Sequence, residues 1–308
     1  MIEKNDRILI TGATGFLGKY LVNYLHDSGY NIRILARVEE QAATLFNFKV
    51  DIYNTDYSFE SLLQGLQSCD IVVHLASQTM QRTSDPLKVS DFYDVNVLIT
   101  ENILRAANAC EIKKICNISS NSVYSSANQL PFKESEQAVP SNTYGLSKLF
   151  AEKIGEYYAF HTSMNVVSLR LARLFGYGER DSVVFTKYIK QSLLKNTLEV
   201  WGKGETSIEY LYVKDATKAI EQAIIKDIKS GVYNVGVNQT YSVKEIANLI
   251  ATVFDNKENI VFLQEKTEGN YCILMDSSAF FQATSWKAQW SLEEAVKDIK
   301  KIYDNHGK

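Results

Sequence analysis

Short apolar runs and amphipathic stretches alternate along the first half of the chain. Strands are expected at residues 7–11, 31–36, 71–75, 114–119 and 166–171, each rich in Ile, Val or Leu, with a weaker candidate at 48–52. Between them, apolar positions recur at helical spacing over 16–28, 59–67, 92–109 and 144–161. Repeated strand–helix–strand units imply an α/β fold, a Rossmann-type doubly wound parallel sheet with right-handed crossovers. A ligand in such a sheet binds beyond the carboxyl ends of the strands.

After residue 172 the alternation loosens. A helix is expected at 184–196, a strand at 198–201, a turn at Gly202-Lys203-Gly204 and a strand at 210–213. A helix follows from Asp215, then a buried strand at 232–235 and helices at 243–254 and 292–303. This predicts a dinucleotide-binding domain over 1–172 and a smaller mixed α/β substrate lobe over 173–308, with segments crossing between them.

With 308 residues the chain can build one large or two modest cores. Apolar residues make up 45% and charged residues 22%, as in ordinary globular proteins. A net charge of −3 gives no electrostatic case for nucleic acid or an anionic membrane. Residues 1–6 lead straight into the first strand, and no apolar stretch reaches the length of a membrane helix. Cys69, Cys110, Cys116 and Cys272 show neither metal-ligand spacing nor a disulfide framework. Reduced thiols in a cytoplasmic protein are expected, and the scattered histidines suggest no metal site.

The first strand ends in Thr11-Gly12-Ala13-Thr14-Gly15-Phe16-Leu17-Gly18. Glycines at this spacing, between a strand and a helix, let backbone N–H groups and the positive helix end approach a dinucleotide pyrophosphate. Downstream, Tyr144 and Lys148 stand four apart on an expected helix and share one face. An ammonium near a phenol lowers its pKa from about 10, which makes tyrosine a usable acid/base. Taken alone, that spacing also suits an ordinary surface Tyr and Lys. Here it follows the glycine loop and the cluster Ser119-Ser120-Asn121-Ser122-Val123-Tyr124 at a strand end. The combination points to hydride transfer.

These motifs, in this order, resemble the extended short-chain dehydrogenase/reductases, in particular the NAD-dependent epimerase/dehydratase family that acts on nucleotide sugars. The likeness continues through Asp56-Tyr57, Cys69 to Ala76, Asn96, Leu169-Arg170, Gly176-Tyr177-Gly178, Gly202-Lys203-Gly204, Tyr210 to Asp215, and Ser285-Trp286 before Leu292-Glu293-Glu294-Ala295. It implies Tyr144 as acid/base and Lys148 as the residue that holds the cofactor ribose and tunes Tyr144. Ser120 falls at the family's catalytic Ser/Thr position. Ser122 is the alternative and faces the same way if the segment is extended. The cofactor is expected to contact Gly12, Thr14, Gly15, Phe16, Leu17 and Gly18, Asp56 and Tyr57 at the adenine, and Leu75, Ala76, Ser77, Asn96, Tyr144 and Lys148. Ser77, Thr79, Ser120 and Ser122 are expected to reach the substrate.

The cofactor itself is NAD or NADP. The second strand ends in Ala36-Arg37 rather than an acid. Arg37 suits a 2′-phosphate, or it lies over the adenine of either cofactor, while Glu39 and Glu40 could accept from a 2′-hydroxyl.

Dehydratases of the resembled family carry an Asp-Glu pair beside the catalytic Thr, where this chain has Asn121 and Ser122. That implies a 4-epimerase of UDP-hexoses or UDP-N-acetylhexosamines. The alternatives are an NADPH-dependent reductase of a 4-keto nucleotide sugar or other carbonyl compound, and a non-catalytic NADP-sensing protein. Val200-Trp201 aligns with an aromatic position that stacks on a nucleotide base, although Trp201 also suits a core. Three positions depart from the family: Arg173 replaces an Asn, Ile208 replaces an Arg, and Lys266 or Thr267 replaces another Arg. Arg173, Arg180 and Lys187 are the candidates to supply the missing positive charge. Helices 92–109 and 144–161 resemble those that pair in the family's homodimers.

Overall fold

The computed structural model describes residues 5–79, 85, 87–181, 183–269 and 271–306. Residues 1–4 of the N-terminal segment read above lie outside them. In chain order the elements are β1 (Arg7–Thr11), α1 (Phe16–Asp27), β2 (Asn31–Ala36), α2 (Glu39–Ala43), β3 (Asp51–Asn54), α3 (Phe59–Gly65) and β4 (Ile71–His74). Next come α4 (Ser90–Phe92), a π-helical segment (Tyr93–Leu98), α5 (Ile99–Ala109), β5 (Lys114–Ser120), a 3-10 turn (Asn121–Val123), α6 (Thr143–His161) and β6 (Asn165–Leu171). The second half holds β7 (Arg173–Phe175), α7 (Val184–Leu193), β8 (Leu198–Trp201), β9 (Ser207–Tyr212), α8 (Val213–Ile225) and β10 (Gly231–Val235). It ends with β11 (Thr240–Ser242), α9 (Val243–Val253), β12 (Ile260–Leu263), β13 (Cys272–Ile273), α10 (Ser278–Thr284) and α11 (Leu292–His306).

Alternate strand residues feed opposite faces of one sheet. Ile8, Ile10, Ile34, Val73, Cys116 and Val167 enter one core, and Leu9, Leu35, Val72, Ile115 and Val166 enter the other. The sheet has seven strands in the order β10-β6-β5-β4-β1-β2-β3, and every pairing is parallel. The chain leaves β1 toward β2 on one side and later returns to β4 on the other. The switch point therefore lies between the carboxyl ends of β1 and β4. The first core continues into a second lobe through Phe175, Phe185 and Tyr212. There β9 pairs with β7, β11 and β13, and β8 pairs with β12. Strand β10 and helix α8 lie past residue 172, yet β10 closes the first sheet beside β6.

Several expected boundaries move. The weak strand expected at 48–52 is found at Asp51–Asn54. Phe48 instead stacks on His26, with ring centroids 3.5 Å apart. The helix expected over 92–109 opens with the π-helical segment before turning α-helical at Ile99. Among the described residues no helix is long and apolar enough to cross a membrane. The cysteines are free, and no cluster of His, Cys, Asp and Glu among the described residues could hold a metal ion.

Candidate active site

The glycine loop is shaped by close contact with the end of β4. Gly12 has φ +67, and a Cβ there would lie 2.6 Å from the Ala76 nitrogen. At Gly18 a Cβ would lie 2.2 Å from the Gly12 carbonyl oxygen, so α1 packs directly onto the loop. Gly15 differs: its Cβ would meet only the Gly12 oxygen, at 3.2 Å. Gly15 is also the N-cap of α1 and offers no side-chain cap. The first-turn N–H groups of a twelve-residue helix therefore open beside exposed Thr14. Phe16 flanks this mouth, edge-on to Tyr20. The Leu17 side chain is buried in the core, so only its backbone can face a ligand.

At the adenine end, Asp56 is exposed and accepts from the Ser58 N–H at 2.8 Å. Tyr57 is buried with φ +64, and the Arg37 guanidinium lies 5.7 Å from its ring centroid.

Beyond β4 a hydrogen-bonded chain fixes the opposite wall. The Ala76 N–H donates to Thr11 Oγ1 at 3.1 Å, and Thr11 Oγ1 lies 2.7 Å from His74 Nδ1. His74 Nε2 lies 3.0 Å from Thr100 Oγ1, whose hydroxyl donates to the Asn96 carbonyl at 2.8 Å. That direction makes His74 Nε2 a donor and Nδ1 an acceptor, the neutral imidazole. Burial, reinforced by the Lys148 charge, lowers the His74 pKa to about 3.

Asn96 sits in the π-helical segment, whose extra residue per turn carries it inward. Its Oδ1 accepts from the Gln78 N–H at 2.7 Å and from Ser77 Oγ at 3.1 Å. Its Nδ2 donates to the Gln78 carbonyl at 2.9 Å and to Ser147 Oγ at 2.9 Å. The Asn96 amide is thus spent on holding the loop that carries Leu75, Ala76 and Ser77, and the direct cofactor contact expected of it is not favoured.

Helix α6 brings Tyr144 and Lys148 to this wall. The helix starts with the Asn142 side chain accepting from the Gly145 N–H. A Cβ at Gly145 would lie 1.9 Å from the Ser122 carbonyl oxygen, so only glycine lets α6 meet the serine segment. Burial raises the Tyr144 pKa, while the neighbouring Ser120 and Ser77 hydroxyls and the charges of Arg173 and Arg180 oppose the rise. Ser120 caps the 3-10 turn by accepting from the Ser122 N–H at 3.1 Å. The segment is therefore not extended, and the two-residue alternation that would place Ser122 equivalently is broken. Ser122 Oγ instead lies 3.2 Å from Ser120 Oγ. Lys148 is buried on the same face of α6. Burial lowers its pKa to about 8, partly offset by Glu152.

The second lobe supplies the remaining candidates. Arg173 is exposed at the start of β7. Arg180 donates to Thr79 Oγ1 at 2.7 Å, which ties the lobe to the β4 loop. Lys187 lies 4.0 Å from Glu199 and is engaged there. Val200 is fully buried, whereas Trp201 is 47% exposed, so Trp201 is not the core residue it could have been. Lys266 Nζ lies 6.0 Å from the Trp201 ring centroid. Ile208 packs partly buried against the core, paired with Tyr241 and Ile273, in a setting unsuited to a cation. Sequence reasoning left His74, Glu152, Tyr124 and Arg170 without roles. His74 and Arg170 are buried polar groups inside strands that otherwise read as apolar, and that was the signal available.

With this geometry in place, comparison with known proteins is decisive at the family level. The family profile described as the NAD dependent epimerase/dehydratase family matches residues 8–236. The chain belongs to that family. It is accordingly an enzyme of the extended short-chain dehydrogenase/reductase type. A crystal structure of UDP-N-acetylglucosamine 4-epimerase from Bacillus cereus is 30% identical, with a TM-score of 0.87 and coverage of 97% of both chains. A Methanocaldococcus jannaschii protein provisionally named UDP-glucose 4-epimerase is 28% identical over 98% of this chain and 99% of its own length. The UDP-N-acetylglucosamine 4-epimerase of Methanobrevibacter ruminantium M1, solved with UDP-N-acetylmuramic acid, superposes with a TM-score of 0.89 at 24% identity, a likeness of fold. It covers 99% of this chain and 100% of that one.

Proposed function

We propose that this family member is a nucleotide-sugar 4-epimerase with NAD as its resident cofactor, acting on a UDP-hexose or UDP-N-acetylhexosamine. The observation that carries the reading is the convergence of Tyr144, Ser120 and Ser77 at the carboxyl end of the sheet, with Asn121 and Ser122 where dehydratases place an acid pair.

The residues present fit a dinucleotide. The uncapped mouth of α1 at Gly15 would hold the pyrophosphate, Asp56, Tyr57 and Arg37 the adenosine end, and Leu75, Ala76 and Ser77 the nicotinamide side. Burial disfavours the Lys148 charge, and ribose hydroxyls would give its ammonium acceptors. Engagement of Arg37 over Tyr57 weakens its reading as a 2′-phosphate anchor and favours NAD.

A nicotinamide held there would supply the hydride acceptor for C4 of the sugar and the donor for its return to the opposite face. Tyr144, in its phenolate form, would accept the 4-hydroxyl proton during oxidation at C4 and give it back to the same oxygen during reduction. Ser120 donates a hydrogen bond to that oxygen and lowers the cost of its developing charge. Between the transfers the 4-keto sugar turns over in the pocket, and no external reductant is consumed. Exposed Trp201, with Lys266 nearby, would stack on the base, and Arg173 and Arg180 would meet anionic groups of the substrate. Exposed Leu146, Phe150, Tyr157 and Phe160 on α6 support a homodimer through that helix.

A reductase of a 4-keto nucleotide sugar would use Tyr144 once, with NADPH, and the exposed guanidinium of Arg37 is the observation in its favour. The intact Tyr144, Lys148 and Ser120 stand against a non-catalytic sensor. The test is incubation with NAD and, separately, UDP-glucose and UDP-N-acetylglucosamine, with the nucleotide sugars resolved by chromatography. Formation of the galacto epimer supports the reading. Unchanged sugars, with NADPH consumed on a 4-keto nucleotide sugar, would replace it with the reductase.

A further inference from the structure

Behind Tyr144 and Lys148 runs a buried polar chain to which the reaction above assigns no role. Glu152 follows Lys148 by four residues on the same face of α6 and is fully buried. Its carboxylate accepts from Ser119 Oγ, from Arg170 Nε at 3.0 Å and from Arg170 Nη2 at 2.6 Å. The other arm of Arg170, Nη1, donates to the Tyr124 hydroxyl at 2.6 Å. That hydroxyl donates to Asn234 Oδ1 at 3.0 Å. Asn234 Nδ2 then bonds the carbonyls of Phe132 at 2.9 Å and Asp276 at 3.3 Å. Phe132 bridges to Met275, whose N–H is held by Glu209 of β9 at 2.9 Å. The chain runs unbroken from the catalytic face of α6 to the second lobe.

A desolvated ion pair of this kind adds little net stability over an apolar pair of the same size. What it does here is geometric. Ser119 immediately precedes Ser120 and is tied to Glu152, while Tyr124 closes the same short segment and is tied to Arg170. Both ends of the segment that carries Ser120 are therefore clamped to one ion pair, and one member of that pair sits on the helix that carries Tyr144.

We propose that Glu152, Arg170 and Tyr124 are positioning residues: they hold Ser120 in register with the Tyr144 hydroxyl and fix both relative to the second lobe. The inference rests on Tyr144 and Ser120 acting as proposed above. Releasing one end of the segment leaves the backbone fold intact but lets the Ser120 hydroxyl drift. A misplacement of about 1 Å costs on the order of 100-fold in rate.

The test uses Tyr124→Phe and Arg170→Lys. Tyr124→Phe is nearly isosteric and removes only the hub hydroxyl. Arg170→Lys keeps the charge opposite Glu152 but cannot bond both carboxylate oxygens and Tyr124 together. With NAD and either UDP-glucose or UDP-N-acetylglucosamine, kcat should fall at least about tenfold in each variant, while KM and NAD affinity stay within about twofold. The fold losses should not multiply in the double variant, because both break one connection. Amide exchange reads the clamp independently of turnover: in Tyr124→Phe, exchange should quicken together at residues 120–124, at Phe132 and at Asp276. Unchanged kcat in folded variants, or faster exchange at residue 124 alone, would overturn the proposal. If the unsubstituted enzyme turned over neither sugar, the epimerase reading would fail while amide exchange still decided on the clamp.

Discussion

Acidification should destabilise this protein through His74. The unfolded imidazole titrates at about 6.5, whereas the folded one is held neutral to about 3 by burial and the Lys148 charge. The folded pKa is depressed, so the unfolded state binds more protons across the window between these values. The stability contributed by neutral His74 is complete above the upper value and is lost progressively as pH falls toward the lower one. Between pH 7 and pH 5 the loss from this one group is about 2 kcal/mol. The structural cause is the relay itself: a second ring proton would face the Thr11 hydroxyl, which already donates to Nδ1. Urea unfolding at pH 7 and pH 5 measures the effect for the natural chain and for His74→Asn. The natural chain should lose about 2 kcal/mol more than the variant over that interval. Equal losses would refute the neutral relay, because His74 would then titrate alike in both states.

Other perturbations separate binding, chemistry and folding. Tyr144→Phe should reduce turnover by at least about 1000-fold while leaving NAD binding unchanged by calorimetry, since it removes only the proton-carrying hydroxyl. Gly15→Ala should leave the thermal midpoint nearly unchanged but weaken NAD binding. Gly18→Ala, with its Cβ 2.2 Å from the Gly12 oxygen, should lower the thermal midpoint itself. Trp201→Ala should raise KM for a UDP-sugar about tenfold without lowering the thermal midpoint, because the ring is half exposed. Phe150→Glu with Phe160→Glu should yield a monomer in sedimentation experiments if α6 forms the homodimer contact.

The parallel sheet was legible because its strands are apolar runs bounded by turns, and the glycine loop and the Tyr144–Lys148 pair have short, regular spacings. Long-range contacts were not. The π-helical turn that carries Asn96 inward has the same composition as an α-helix, and what distinguishes it is its bonding to Gln78, eighteen residues away. Ser122 reaches Ser120 through a capped 3-10 turn rather than the extended backbone expected, because the Ser120 hydroxyl accepts from the Ser122 N–H. Strand β10 could be read as buried, yet its place beside β6 depends on a crossover through α8. The Glu152–Arg170 pair was hidden for the same reason: its members are 18 residues apart and meet only when α6 lies on β6. Arg180 reaching Thr79 across 101 residues carries no local signal at all.

The central claim is that hydride leaves and returns to the same sugar carbon within one active site. Proton NMR of the purified enzyme with NAD and a UDP-hexose in deuterium oxide tests it most directly. The C4 epimer should appear with no deuterium on the sugar ring, because the hydride never exchanges with solvent. Deuterium at the epimerised carbon, or no epimer in the presence of NAD, would contradict it.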